Sequence, residues 1–177
     1  MDSLQGHLIV SSPLLVDPNF RRTVVLMTHH DDEGAMGLVL SRPSEVLVAE
    51  AVPELAELPG DGERIYVGGP VQPEAVVVLV EHEDEPESAI VGRIAFMPAE
   101  SELEELDAVR ARVFAGYSGW GPGQLEAELD ESSWIVVPAE PDDAFASDPD
   151  ELWRTVLQRK GGKFALNATM PFDPSLN

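Results

Sequence analysis

The chain is 177 residues long and carries 11 Lys and Arg against 33 Asp and Glu, a formal net charge of −22. That length suits one domain, and 44% hydrophobic residues are enough to build a core. The charge argues against nucleic acid and anionic membrane as partners, because the summed field repels phosphate. Cysteine is absent, which excludes disulfides, thiolate metal sites and cysteine catalysis. No apolar run approaches the ~20 residues of a membrane span, and MDSLQGHLIV lacks the basic and apolar regions of a secretory signal. The expected setting is the cytosol.

In chain order, His7–Val10 is the first strand candidate, followed by Thr23–Thr28 and Ala35–Leu40. The polar loop HHDDEG (29–34) joins the last two, so they read as a hairpin. Val24, Val25, Leu26 and Met27 are apolar without interruption, which predicts a strand covered on both faces. Short helices are expected over Val46–Leu58 and Glu102–Val109, and strands at Arg64–Val67, Ala75–Val80 and Arg93–Met97. Five acids and a proline in residues 81–87 predict an exposed loop that ends the AVVVLV strand.

Arg110–Tyr117 alternates with period two. Counting from Val109, residues Val109, Ala111, Val113, Ala115 and Tyr117 share one side, while Arg110 and Arg112 point to solvent or to acidic neighbours. A helix from Pro122 to Leu129 would bury Leu125 and Leu129, and Trp134–Val137 is the last strand. Asp148–Lys160 has the fullest helix signature. Asp148 caps it, Pro149 suits its first position, Leu152, Trp153, Val156 and Leu157 share a face, and Gly161 stops it. Strands outnumber helices, so the expected fold is α+β, a single domain over 1–177 with a mixed, mainly antiparallel sheet.

The segments GHLIVSSPLLVDPNFRRTVVLMTHH, GAMGLVLSRP, YVGGPV, RVFAGYSGWGPGQLEAEL and SWIVVPA, then DPDELW, occur in that order. In order and content the chain resembles the AlgH/YqgE family of small bacterial proteins across residues 4–160. The resemblance implies a cytosolic α+β domain with bent, bulged strands. It transfers no catalytic residue and no cofactor, and one branch of the family carries a transcriptional-regulator name. Ser41 departs from the family's LVLNRP pattern, which has Asn at that position.

Several groups bear on chemistry. Gly116-Tyr117-Ser118-Gly119 falls short of a nucleophile elbow because Trp120 stands where glycine is required. His29 and His30 sit among Asp31, Asp32 and Glu33, yet adjacent strand residues face opposite ways, so a solvated acidic turn is preferred over a metal site. Val67-Gly68-Gly69-Pro70 reads as a tight turn or bulge before it reads as an anion nest. Arg154, Arg159, Lys160 and Lys163 complement the dipole of their own helix without any ligand. The most unusual constellation is 116–126, where Tyr117, Trp120, Gln124 and Glu126 surround a strand-to-helix junction. These four residues are the candidate binding surface, weighed against simple packing of the junction.

No catalytic residue, metal ligand or cofactor is assigned. The expected function is a non-enzymatic accessory or regulatory factor that binds a small ligand or a protein. The alternatives are a transcriptional regulator acting indirectly through a protein partner, and a metal-assisted hydrolase using carboxylates with His29 or His30.

Overall fold

The computed structural model describes residues 2–12, 22–58, 64–97 and 107–164. The chain runs through β1 (His7–Ser11), β2 (Val24–Asp31), β3 (Gly34–Val39), β4 (Pro43–Leu47), α1 (Val48–Ala51) and β5 (Arg64–Val67). It continues through β6 (Val71–His82), β7 (Ile94–Phe96), β8 (Ala108–Trp120), α2 (Gln124–Asp130), β9 (Trp134–Pro138) and α3 (Pro149–Lys160), with short 3-10 turns at Pro53–Leu55 and Pro141–Phe145. The strands line up as β4-β5-β8-β3-β2-β1-β9, with β6 on β8 and β7 on β6. Among the described residues, only the β5–β8 contact is parallel. This is the expected mixed, mainly antiparallel α+β sheet. No helix among the described residues is long and apolar enough to cross a membrane.

β8 belongs to two parts of the sheet. Its first half pairs with β6 without a break to Ala115, Tyr117 pairs with Val71 beyond a register shift, and Ser118–Trp120 pair with β3. Between them Gly116 takes φ +73, a left-handed conformation that lets the strand bend. The bend is packed against Gly68, where an added Cβ would lie 2.3 Å from the Gly116 carbonyl oxygen. Gly68 N–H already donates to Ala115 O at 2.9 Å. The Gly-Gly pair therefore serves a backbone crossing, and the Gly68 donor is not available to an anion.

Among the described residues, three apolar clusters hold the sheet. Val24 and Leu26 face the first, together with α3, while Val25 and Met27 face the second, together with Trp120, Leu125 and Trp134. β2 is thus buried on both faces, as its unbroken apolar run predicts. The third cluster lies between α1 and the β5-β8-β6 surface, through Val48, Ile65, Val78 and Val113. α3 follows its sequence closely. Asp148 accepts from the amides of Asp150 and Glu151, and Leu152, Trp153, Val156 and Leu157 are the buried residues.

Several expectations need correction. Val46 and Leu47 end a strand, and the helix begins only at Val48. The 29–34 loop is shorter than expected, because β2 runs to Asp31 and β3 starts at Gly34. Glu81 is no loop residue: β6 carries on to His82, and Glu81 is buried where Arg110 neutralises it at 3.0 Å. Val109 lies in β8, and the rest of the helix expected over 102–109, apart from Asp107 and Ala108, falls outside the described residues. Arg112 is buried rather than facing solvent. Its guanidinium donates to the carbonyls of Ala144, Phe145 and Ala146 and covers the Tyr66 ring at 4.2 Å. Arg110 pairs with Asp142 at 2.7 Å, and Arg159 with Asp143 at 2.7 Å, so three arginines fasten the 140–146 segment. Those carboxylates, with Glu81, raise the Arg110 and Arg159 pKa values further above the usual arginine value.

Candidate functional site

The 116–126 constellation divides across its junction. Tyr117 is half-buried against the first cluster, whereas Trp120 is buried in the second. Trp120 pairs across the sheet with Ala35, which in turn pairs with His30, so the three form one row on the face that α2 covers. The helix turns its apolar residues, Leu125 and Leu129, onto this row. With 3.6 residues per turn, Glu126 and Glu128 then project from opposite sides of that stripe.

Glu128 serves the aromatic side. One of its oxygens accepts from Trp120 Nε1 at 3.1 Å and from Trp134 Nε1 at 2.8 Å, and the two indoles meet edge to face. Gln124 is exposed. Its amide nitrogen donates to Glu128 at 3.1 Å, and its oxygen accepts from Gly121 N–H at 3.0 Å. Trp120 and Gln124 therefore hold the junction together.

Glu126 leads elsewhere. Its carboxylate lies 2.5 Å from His30 Nε2, and the His30 side chain is only 3% exposed. His30 points inward because β2 carries a bulge: Met27 opposes Gly37, His29 opposes Met36, and Thr28 is the extra residue between them. Strict alternation from buried Met27 would have turned His29 inward instead. His29 is exposed and bonds Asp31 at 2.8 Å. The other ring nitrogen of His30, Nδ1, accepts the Leu4 backbone N–H at 2.9 Å, and Ser3 Oγ donates to the His30 carbonyl at 3.0 Å. An amide donor at Nδ1 places the ring's single proton on Nε2, pointing at Glu126.

Beside this pair opens a recess of about 420 Å³ lined by Ser3, His30, Asp31, Asp32, Gly123 and Glu126. That is within the usual range for small-ligand sites, about 300–1,000 Å³. The His30 hydrogen bond holds the Glu126 carboxyl below its ordinary pKa, and the Glu33 amide, followed by His29, does the same for Asp31. Both acids are therefore charged at neutral pH, and no Lys or Arg is among the lining residues.

This arrangement constrains the chemistry. Both His30 nitrogens are engaged, leaving no lone pair for a general base or a metal. Ser3 Oγ aims its proton at a carbonyl rather than at a base. Among the described residues no three His, Asp or Glu side chains are placed to hold a metal ion. Sequence reading selected Glu126 but paired it with Trp120 and Gln124. It missed the His30 contact, which spans 96 positions, it missed Glu128 and Ser3, and it set Asp32 aside as part of a solvated acidic turn.

Comparison with known proteins gives the same fold and a family. The chain is 45% identical to the UPF0301 protein of Streptomyces coelicolor, over all of this chain and 97% of that one. A crystal structure of protein DIP2367 from Corynebacterium diphtheriae superposes with a TM-score of 0.87 at 26% identity, covering 96% of this chain and 93% of that chain. The solution structure of the AlgH protein from Pseudomonas aeruginosa superposes with a TM-score of 0.73 at 32% identity, covering 96% and 95%. The AlgH-like family model matches residues 8–165, and the chain belongs to that family.

Proposed function

We propose that this protein is a non-enzymatic binding factor whose ligand site is the His30–Glu126 recess, and that the recess takes a cationic group. An ammonium or guanidinium fits, carried either by a small ligand or by a basic side chain of a partner protein. One observation carries the reading: three carboxylates, from the end of β2, the turn after it and α2, line a single concavity with no Lys or Arg among its described lining residues. His30 and Ser3 are both committed to hydrogen bonds and so are not poised as base and nucleophile, which favours binding over catalysis. The net charge of −22 steers cations toward the molecule and polyanions away from it. The cytosol remains the compartment that the family resemblance implies.

The test is an amide NMR titration of the full chain with agmatine, an arginine-containing peptide, neutral glycerol and anionic ATP. The two cationic ligands are expected to give saturable shifts at His30–Asp32 and Gly123–Glu126, abolished by Asp32→Asn together with Glu126→Gln. Preferential shifts there with ATP, or cation shifts that survive in the double variant, overturn the reading.

A further inference from the structure

The segment before β1 is attached to the rest of the chain at few points. Gly6 N–H donates to Met27 O at 2.9 Å, and Gly6 O accepts weakly from Ala139. The other two tethers, Leu4 N–H to Nδ1 and Ser3 Oγ to the carbonyl, both end on His30. Ser3 also forms part of the wall of the recess, while the Leu4 side chain packs on the second cluster. Gly6, at φ +81, lies where the segment joins β1.

We propose that residues 2–6 form a latch over the recess that is released when His30 takes a second proton. The geometry allows the neutral ring one arrangement, with Nε2–H donating to Glu126 and bare Nδ1 accepting from Leu4. A second proton must go on Nδ1, where it meets the Leu4 N–H head-on. A backbone amide only donates, so two donors face each other 2.9 Å apart with no acceptor between them. Rotating the ring does not help, because Nε2 is held by Glu126.

The charged groups nearest the ring are Glu126, which faces it from α2, and Asp31 and Asp32, which adjoin it on its own strand and turn. The amino-terminal charge acts on Glu126. Ala35 and Trp120, the row neighbours from β3 and β8, carry no charge, and the Trp120 indole is committed to Glu128. The imidazolium keeps its bond to Glu126 and expels Leu4. Ser3 leaves with the segment and the recess widens on that side. The functional meaning rests on the binding reading above: acidification would uncover the cation site.

The experiment is amide NMR of the full chain without ligand, titrated from about pH 8 to about pH 5, the range in which histidine changes charge. The His30 Cε1 proton is followed beside the Ser3, Leu4 and Leu8 amides. Leu4 is expected to lose about tenfold or more in protection against exchange, corrected for intrinsic rate, with the midpoint of the His30 ring, while Leu8 keeps its protection. His30→Gln, which supplies an acceptor and a donor that do not titrate, should show no such step. The proposal falls if Leu4 stays protected while the ring titrates, if their midpoints separate, if His30→Gln shows the same step, or if the whole chain unfolds first. The wild-type midpoints decide the matter even where His30→Gln does not fold. No cation is present, so this result and the ligand titration can fail independently.

Discussion

Trp120 donates its indole N–H to Glu128 at 3.1 Å, and the acceptor oxygen also takes the Trp134 indole. A carboxylate two positions beyond the most distinctive stretch of sequence thus decides what that stretch does. Trp120 is 7% exposed and faces the core beneath α2, so its size and its donor are both used for packing. Glu128→Ala should destabilise the fold by about 2 kcal/mol, since an orphaned buried donor costs roughly 1–3 kcal/mol. Glu128→Gln, which keeps an acceptor, should cost less, and exposed Gln124→Ala less still. Urea denaturation followed by tryptophan fluorescence ranks the three.

The crossing of Gly68 under Gly116 predicts a sharp contrast between two glycines of the same region. Gly68→Ala drives a Cβ to 2.3 Å from a backbone oxygen that cannot yield without unbending β8. It should cost about 3 kcal/mol or more, the upper end for overpacking. At Gly119 the nearest atom to an added Cβ is 3.7 Å away. Gly119→Ala should therefore be neutral or slightly stabilising, because alanine restricts the unfolded chain. Thermal melts of the two variants test this.

Arg112 joins β8 to the 140–146 segment through three carbonyls and the Tyr66 ring. Arg112→Ala should cost about 3 kcal/mol or more, by stranding buried acceptors. Arg112→Lys should recover little of this, because a compact ammonium reproduces neither the planar fork nor the stacking. Limited proteolysis of both variants should place the first cut within 140–146. Cleavage elsewhere would show that the clamp is not what secures that segment.

What could be read from the sequence was mostly local. α3 announced itself through Asp148, Pro149 and its apolar stripe, and β2 through its unbroken run of hydrophobic residues. The arrangements that position the site are not local. A bulge at Thr28 reverses which histidine faces inward, and alternation alone would have chosen His29. Tyr117, Trp120, Gln124 and Glu126 are close in sequence, yet a strand end and a helix distribute them among three environments. Glu81 looked solvated because it begins an acidic run, whereas its partner Arg110 arrives from a strand 29 residues later. Ser41 takes a backbone role, accepting Val24 N–H at 3.2 Å, which its short side chain reaches without an amide.

The lowered pKa of Glu126 sets a direction for pH dependence. A carboxyl held below its ordinary value stabilises the fold above about pH 4.5, and that contribution is lost as pH falls through the folded-state value. Wild type should therefore exceed Glu126→Gln in stability at neutral pH, with the gap closing below about pH 4. Paired urea titrations at the two pH values measure it. A gap that widens in acid would mean that Glu126 is not held ionised by His30.

The recess is tested most directly by calorimetric titration of agmatine into wild type and into Glu126→Gln carrying Asp32→Asn, each at low and at high salt. The account predicts one saturable site in wild type, weakened about tenfold or more as salt rises toward about 1 M, where screening shortens to about 3 Å, and absent from the double variant. Binding that is indifferent to salt, or equal in the two proteins, would contradict it.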